Sequence, residues 1–340
     1  MSNGLEQRVR EALGQVLIPG AKRSLVQMNL VRSVAVEDSR AAVTLSWVAI
    51  PDEYQSWLKE KVQETVKEVA GLSEVAVEFT EGAVKDLNQI GSVVAVMSGK
   101  GGVGKSLVAS LLGAALAREG KEVGVLDADV TGPSIPRMFG LNVHPSGSNS
   151  GILPVITRSG IEVMSMNLLL PNEEEAVIWR GPLMSKAISQ FWEEVLWGKL
   201  DYLVIDLPPG TADAPLTVMQ QIPLSGVVAV FTPQDLTEMI VKKAVAMAKK
   251  MSVRVLGVVE NMSYLVLPET GKRLEIFGKS KGQQMAEAVG APLLGQIPID
   301  PELATLCDKG EIEKYTSEET AQMGKKVLAS LTAGASQRNE

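Results

Sequence analysis

The segment VVAVMSGKGGVGKSLVASLLGAAL constrains this chain more than any other. An apolar run beginning at Val93 passes through Gly99, Lys100, Gly101, Gly102, Val103, Gly104, Lys105 and Ser106 into a stretch with helical spacing. Gly99, four residues, then Gly104, Lys105 and Ser106 satisfy the Walker A pattern in the setting it needs, strand to loop to helix. Glycines let the backbone curl so that N–H groups point inward at phosphate oxygens. The helix that follows adds the partial positive charge of its N-terminus. Lys105 is placed to neutralise terminal phosphates, and the Ser106 hydroxyl to ligate Mg²⁺. ATP and Mg²⁺ are the ligands this chemistry expects.

The rest of the chain from Val93 onward fits that loop. VVAVMSG, EVGVLDAD, IEVMSM, DYLVIDLP, GVVAVFTP, VRVLGVVEN and PLLGQIP are near-continuous apolar runs, as strands buried on both faces are. Helical stretches alternate with them, which predicts an α/β fold: a doubly wound, mostly parallel sheet over 92–330. Two of the runs end on carboxylates. Asp127 and Asp129 close one, and Asp206 closes another at the Walker B position, where an aspartate holds Mg²⁺ through a water or hydroxyl. PPGTAD follows Asp206 and has the make-up of a switch loop, with Gly210 and Asp213 as its candidate residues.

Residues 1–81 read differently. A helix-like opening, two Val-rich segments, a charged helix with Trp57, Val62, Val66 and Val69 at helical spacing, and a last strand SEVAVEFT predict a small α+β domain. Residues 82–91 read as a linker and 331–340 as a frayed tail. The net charge of −7, from 33 basic and 40 acidic residues, argues against a nucleic-acid partner. No apolar run approaches the roughly 18 residues needed to span a bilayer, so no membrane is expected. With one cysteine and no secretory pattern at its start, the chain is expected to be cytoplasmic.

Several stretches together resemble one family. Lys100, directly after the first glycine, resembles the deviant Walker A of the MinD/ParA/ArsA class. MSGKGGVGKS, LDADVTGPSIPRMFG, WRGPLMSKAISQF, DYLVIDLPPGTAD, ENMSY, EIFGKS and LLGQIPIDPEL resemble the Mrp/ApbC branch, the iron–sulfur cluster carriers. The small first domain is similar to the one that precedes the ATPase in many bacterial members, and is expected to bind a partner. The resemblance implies a homodimeric, slow, Mg²⁺-dependent ATPase that serves client proteins. It assigns Lys100 to the partner's nucleotide in trans and Asp129 to the attacking water, with Asp127 a helper near Mg²⁺. Asn261 would read the adenine edge, pairing with N6 and N7, and residues 297–300 would line the same pocket. Arg180 stands open between a contact to the partner subunit or a switch carboxylate and a surface ion pair.

The resemblance breaks at the cysteines. In the family pattern ENMSY is followed by a Cys-x-x-Cys pair that holds the cluster, and here Leu267 and Thr270 stand in those two places. Such clusters are held by thiolates. Cys307 is the only cysteine and His144 the only histidine, so no iron–sulfur ligands are identified within one chain. Three readings follow: a cluster-carrier ATPase with partner-supplied or atypical ligands; a nucleotide-switched ATPase that loads a partner without cluster binding; and, behind both, a MinD/ParA-like spatial organiser.

Overall fold

The structure, a computed structural model, describes residues 2–129, 132–170, 181–210 and 213–336. The chain divides into two compact units: Met1–Ile90 with His144–Ile156 and Gln190–Leu200, and Gly91–Val143 with Thr157–Ser189 and Asp201–Glu340.

The first unit carries a three-stranded sheet. Strand Val31–Glu37 pairs antiparallel with Arg40–Ser46, which pairs parallel with Glu74–Thr80. Helices Ser2–Leu13 and Gln55–Ala70 pack together beside it. Alternation sets the strand faces: Val43 and Leu45, then Val75 and Val77, turn into the core at every second position. The helix Gln55–Ala70 buries Leu58, Val62, Val66 and Ala70; Val62 and Val66 are as expected, but Ala70 and Leu58 take the places of Val69 and of Trp57, which stands 46% exposed. Gly71 ends it in the left-handed region, at φ 69°, where a side chain would be strained.

Two expected boundaries differ from the structure. Residues 82–91 include a helical turn, Val84–Leu87, whose Val84 and Leu87 are buried in the first unit's core. Asn88 donates to the Val195 carbonyl and accepts from the Trp197 and Gly198 N–H groups. A stretch that buries two apolar side chains and spends its amide in this way is part of the packing. Residues 331–336, expected as tail, continue the helix Glu318–Ser336.

The second unit is built on the expected parallel sheet. Its strands run in the order Leu293–Gln296, Val255–Glu260, Gly226–Phe231, Gln89–Ser98, Lys199–Asp206, Val123–Asp127, Glu162–Ser165. Successive strands fall first to one side of Gln89–Ser98 and then to the other. Ligands of doubly wound sheets sit at such a reversal, beyond the carboxyl ends of the strands. Ser98, Asp127, Asp206 and Glu260 are the last residues of four of these strands, so the fold delivers the candidate residues to one edge.

Candidate functional site

The loop after Ser98 holds its shape through two close approaches. A Cβ on Gly99 would stand 2.3 Å from Ile240 Cγ2 and 2.7 Å from the Ile240 backbone. On Gly104, at φ 77°, it would stand 2.1 Å from Asn261 Nδ2. Only glycine fits either place. Ser98 Oγ donates to the Lys100 carbonyl at 2.9 Å, and Gly210 N donates to the Ser98 carbonyl at 3.1 Å, tying the segment after Asp206 to the strand that leads into the loop. Helix Lys105–Arg118 begins at Gly104 without a side-chain cap, so its first N–H groups remain free to meet a ligand. They face a cavity of about 320 Å³ lined by Lys100, Gly101, Gly102, Lys105, Ser106 and Asp129, among others.

Lys105 is nearly buried and serves two carboxylates. Its Nζ donates to Asp206 Oδ1 at 2.6 Å and lies 3.6 Å from Asp129 Oδ2. Asp206 is fully buried, and its Oδ2 has no hydrogen-bond partner among the described residues. Burial raises its pKa, against the opposing pull of Lys105 and the Ser106 hydroxyl. Asp127 is also fully buried, and burial together with the Asp206 charge pushes it up to about 7, opposed by Lys105 and the Ile135 N–H. Its oxygens accept from Asp129 N, Ile135 N and Ser165 Oγ. Asp127 thus shapes the turn that carries Asp129, whereas Asp129 itself lines the cavity. Ser106 lines this cavity, and Asp206, with its orphaned carboxylate oxygen, lies directly behind Lys105, which donates to it. Mg²⁺ keeps several waters and takes one or two carboxylates plus phosphate oxygens, so this donor set fits it.

Lys100 Nζ donates to Gln234 Oε1 at 3.1 Å. Gln234 is not among the residues expected from the sequence; its signal was a lone amide three residues past the apolar strand Gly226–Phe231. Asp213 opens the helix Asp213–Gln221, but its side chain, like all of Trp179 and Arg180, lies outside the described residues.

A second cavity, about 460 Å³, shares Leu107 and Met138 with the first. Asn261, Phe277, Pro298, Ile299, Leu303 and Cys307 line it. Asn261 is buried, and its Nδ2 donates to the Val103 carbonyl at 2.9 Å. The carbonyl can only accept, so one of the amide's two N–H donors is spent on the loop, and its second N–H and Oδ1 are left. The two-point pairing with N6 and N7 expected from the sequence needs Oδ1 and one N–H, and is compatible with this bond.

Comparison with known proteins agrees with this geometry. Residues 89–332 match the family model described as NUBPL iron-transfer P-loop NTPase, and residues 6–79 match that of an iron–sulfur cluster assembly protein. The iron–sulfur cluster carrier protein of Clostridium perfringens is 48% identical over 237 residues, covering 67% of this chain and 83% of that protein. The carrier protein of Synechocystis is 38% identical over 315 residues, covering 89% of each. A nucleotide-binding protein of Archaeoglobus fulgidus, solved in complex with ADP, shares 47% identity over 69% of this chain and 93% of its own, with a TM-score of 0.62. This chain belongs to the iron–sulfur cluster carrier family of P-loop NTPases.

The two places where the resemblance expected cysteines, Leu267 and Thr270, lie in the hairpin after Asn261. Leu265–Val266 pairs antiparallel with Arg273–Leu274, and Leu267 N donates to the Lys272 carbonyl at 2.9 Å. Leu267 is half-buried and Thr270 exposed. Among the described residues no set of three or more His, Cys, Asp and Glu side chains could hold a metal ion. Cys307 lies elsewhere, on the helix Pro301–Asp308, where burial and the neighbouring Asp308 push its thiol up to about 11. A thiol so disposed is a poor source of the thiolate a cluster requires. No helix among the described residues is long and apolar enough to cross a membrane.

Proposed function

We propose that this protein is a slow, Mg²⁺-dependent ATPase of the carrier family that closes as a homodimer on ATP and acts on an iron–sulfur client without a cluster-binding cysteine pair of its own. The observation that carries the reading is the Lys105–Asp206–Asp129 cluster beside an uncapped helix N-terminus. A buried ammonium shared by two carboxylates is a resting arrangement that a triphosphate can displace: Lys105 turns to the phosphates and frees the carboxylates. Ser106 and Asp206 would hold Mg²⁺, which would supply positive charge to neutralise the phosphates. Asp129 orients a water for in-line attack on the γ phosphorus and takes up its proton. The bond to the β-phosphate oxygen breaks, leaving ADP and phosphate. Asn261 Oδ1 accepts from the adenine amine. Lys100 leaves Gln234 and reaches the nucleotide of the partner subunit, where its charge stabilises the transition state.

The test pairs nucleotide binding and phosphate release with sedimentation in the presence and absence of ATP. Wild type is expected to bind ATP, release phosphate slowly and sediment as a dimer with ATP. Lys100→Ala is expected to keep binding and lose both dimerisation and turnover. Unchanged turnover and association in Lys100→Ala would sink the trans assignment. Anaerobic reconstitution with ferrous iron and sulfide tests the missing clasp: a stoichiometric cluster on the native chain would refute it.

A further inference from the structure

Residues 263–281 leave the sheet and return to it at a single carboxylate. Glu260, the last residue of strand Val255–Glu260, is fully buried. It accepts from Ser263 Oγ at 2.6 Å on the departing limb. On the returning limb it accepts from Ser280 Oγ at 2.6 Å and Lys281 N at 2.7 Å. Gln296 Nε2, at the end of the neighbouring strand, donates to it at 2.9 Å. A buried charge is tolerated when its lone pairs are filled in this way. Between the limbs lie the hairpin Leu265–Leu274 and then Phe277, three residues before the anchored Ser280. Phe277 is 37% exposed, and it lines the same cavity as Asn261.

We propose that Phe277 is a specificity residue that packs its ring on the planar base of the bound nucleotide, and that Glu260 is the positioning residue that makes this lid and the hairpin one body. The inference rests on the nucleotide reading of the site and extends it. The base cavity is walled by Leu107, Met138, Pro298 and Ile299 but lacks an aromatic wall other than Phe277. A ring there offers a base the offset stacking that aliphatic side chains cannot. Because the limb bearing Phe277 is fastened at the same carboxylate as the limb leading into the hairpin, filling the base cavity steadies residues 264–279 together. The hairpin that carries Leu267 and Thr270 in place of the family's cysteine pair is therefore tied to the occupancy of the base cavity, separately from the phosphates.

The experiment compares ADP with inorganic pyrophosphate, which has no base, on the full-length protein. Phe277→Ala is expected to weaken ADP about three- to tenfold and to leave pyrophosphate affinity unchanged, whereas Phe277→Trp retains ADP affinity. Amide hydrogen exchange at 264–279 is expected to slow on ADP, and not on pyrophosphate, in wild type. That slowing is expected to fall away in Glu260→Ala, and in part in Glu260→Gln, which keeps the volume and lacks the second acceptor oxygen. Equal losses for both ligands in Phe277→Ala, or an exchange pattern at 264–279 indifferent to ADP, would overturn the proposal while leaving nucleotide binding in place. Failure of wild type to bind either ligand would bring down the nucleotide reading and this inference with it.

Discussion

Around Lys105, three carboxylates and an ammonium are crowded into a space nearly free of solvent, whereas along the hairpin Leu265–Leu274 apolar side chains stand in water. Asp127 and Asp206 are fully buried, and Val266 and Leu274 are 43% and 48% exposed. Each arrangement costs free energy in the isolated chain. Buried charges lose hydration that their mutual attraction only partly restores, and exposed apolar groups forgo about 25 cal/mol for each Å² left in water. The difference teaches where ligand chemistry is built in. The first region holds charged groups and an orphaned carboxylate oxygen suited to phosphate and Mg²⁺, and the second contains no cysteine to supply a thiolate for a cluster.

Breaking the first region should have the largest effect. Lys105→Met leaves Asp206 buried without its counter-ion, and is expected to lower stability by about 3–5 kcal/mol in urea unfolding without nucleotide. A loss under about 1 kcal/mol would mean the pair behaves as an exposed one. The thiol of Cys307 comes next. Its pKa, raised from 9.0 to about 11 by burial, implies less thiolate at any pH below that value. Alkylation by iodoacetamide at pH 8 should run about a hundredfold slower than for a free thiol, with the rate climbing until about pH 11. A profile that levels near pH 9 would remove the argument against Cys307 as a ligand.

A pair of glycine variants sharpens the contrast within the loop. Gly99→Ala meets the Ile240 backbone and should cost about 1–3 kcal/mol, along with nucleotide affinity. Gly101→Ala meets nothing within 4 Å, so its thermal midpoint should stay put and only ligand binding should fall. The smallest effect on the fold is expected at the hairpin. Leu267→Cys with Thr270→Cys should change stability by no more than about 0.5 kcal/mol and yet confer iron uptake on anaerobic reconstitution. Restored cysteines that take up no iron would show that the loss extends beyond the two thiols.

Much of the active edge was legible in the chain itself. The phosphate loop is contiguous, its glycines and Lys105 obey a spacing fixed by backbone geometry, and the apolar runs announce strands covered on both faces. Asp127, Asp129 and Asp206 could be placed because each ends such a run. The helix stripe was harder: Trp57 and Leu58 are neighbours in sequence, and only packing decided that Leu58 turns inward. The short segment 82–91 reads as a linker for a similar reason, since Val84 and Leu87 are buried against residues far away in the chain.

Sequence by itself determined the family, the sheet and the phosphate loop, because each is written in adjacent residues. Tertiary structure alone decided which partners those residues take. It set Lys100 on Gln234, 134 positions away, and turned the Asn261 amide toward Val103, 158 positions away. It also gathered Ser263, Ser280, Lys281 and Gln296 onto Glu260. Such contacts follow from where the sheet brings its strand ends and their loops together, and no local pattern of residues encodes that meeting.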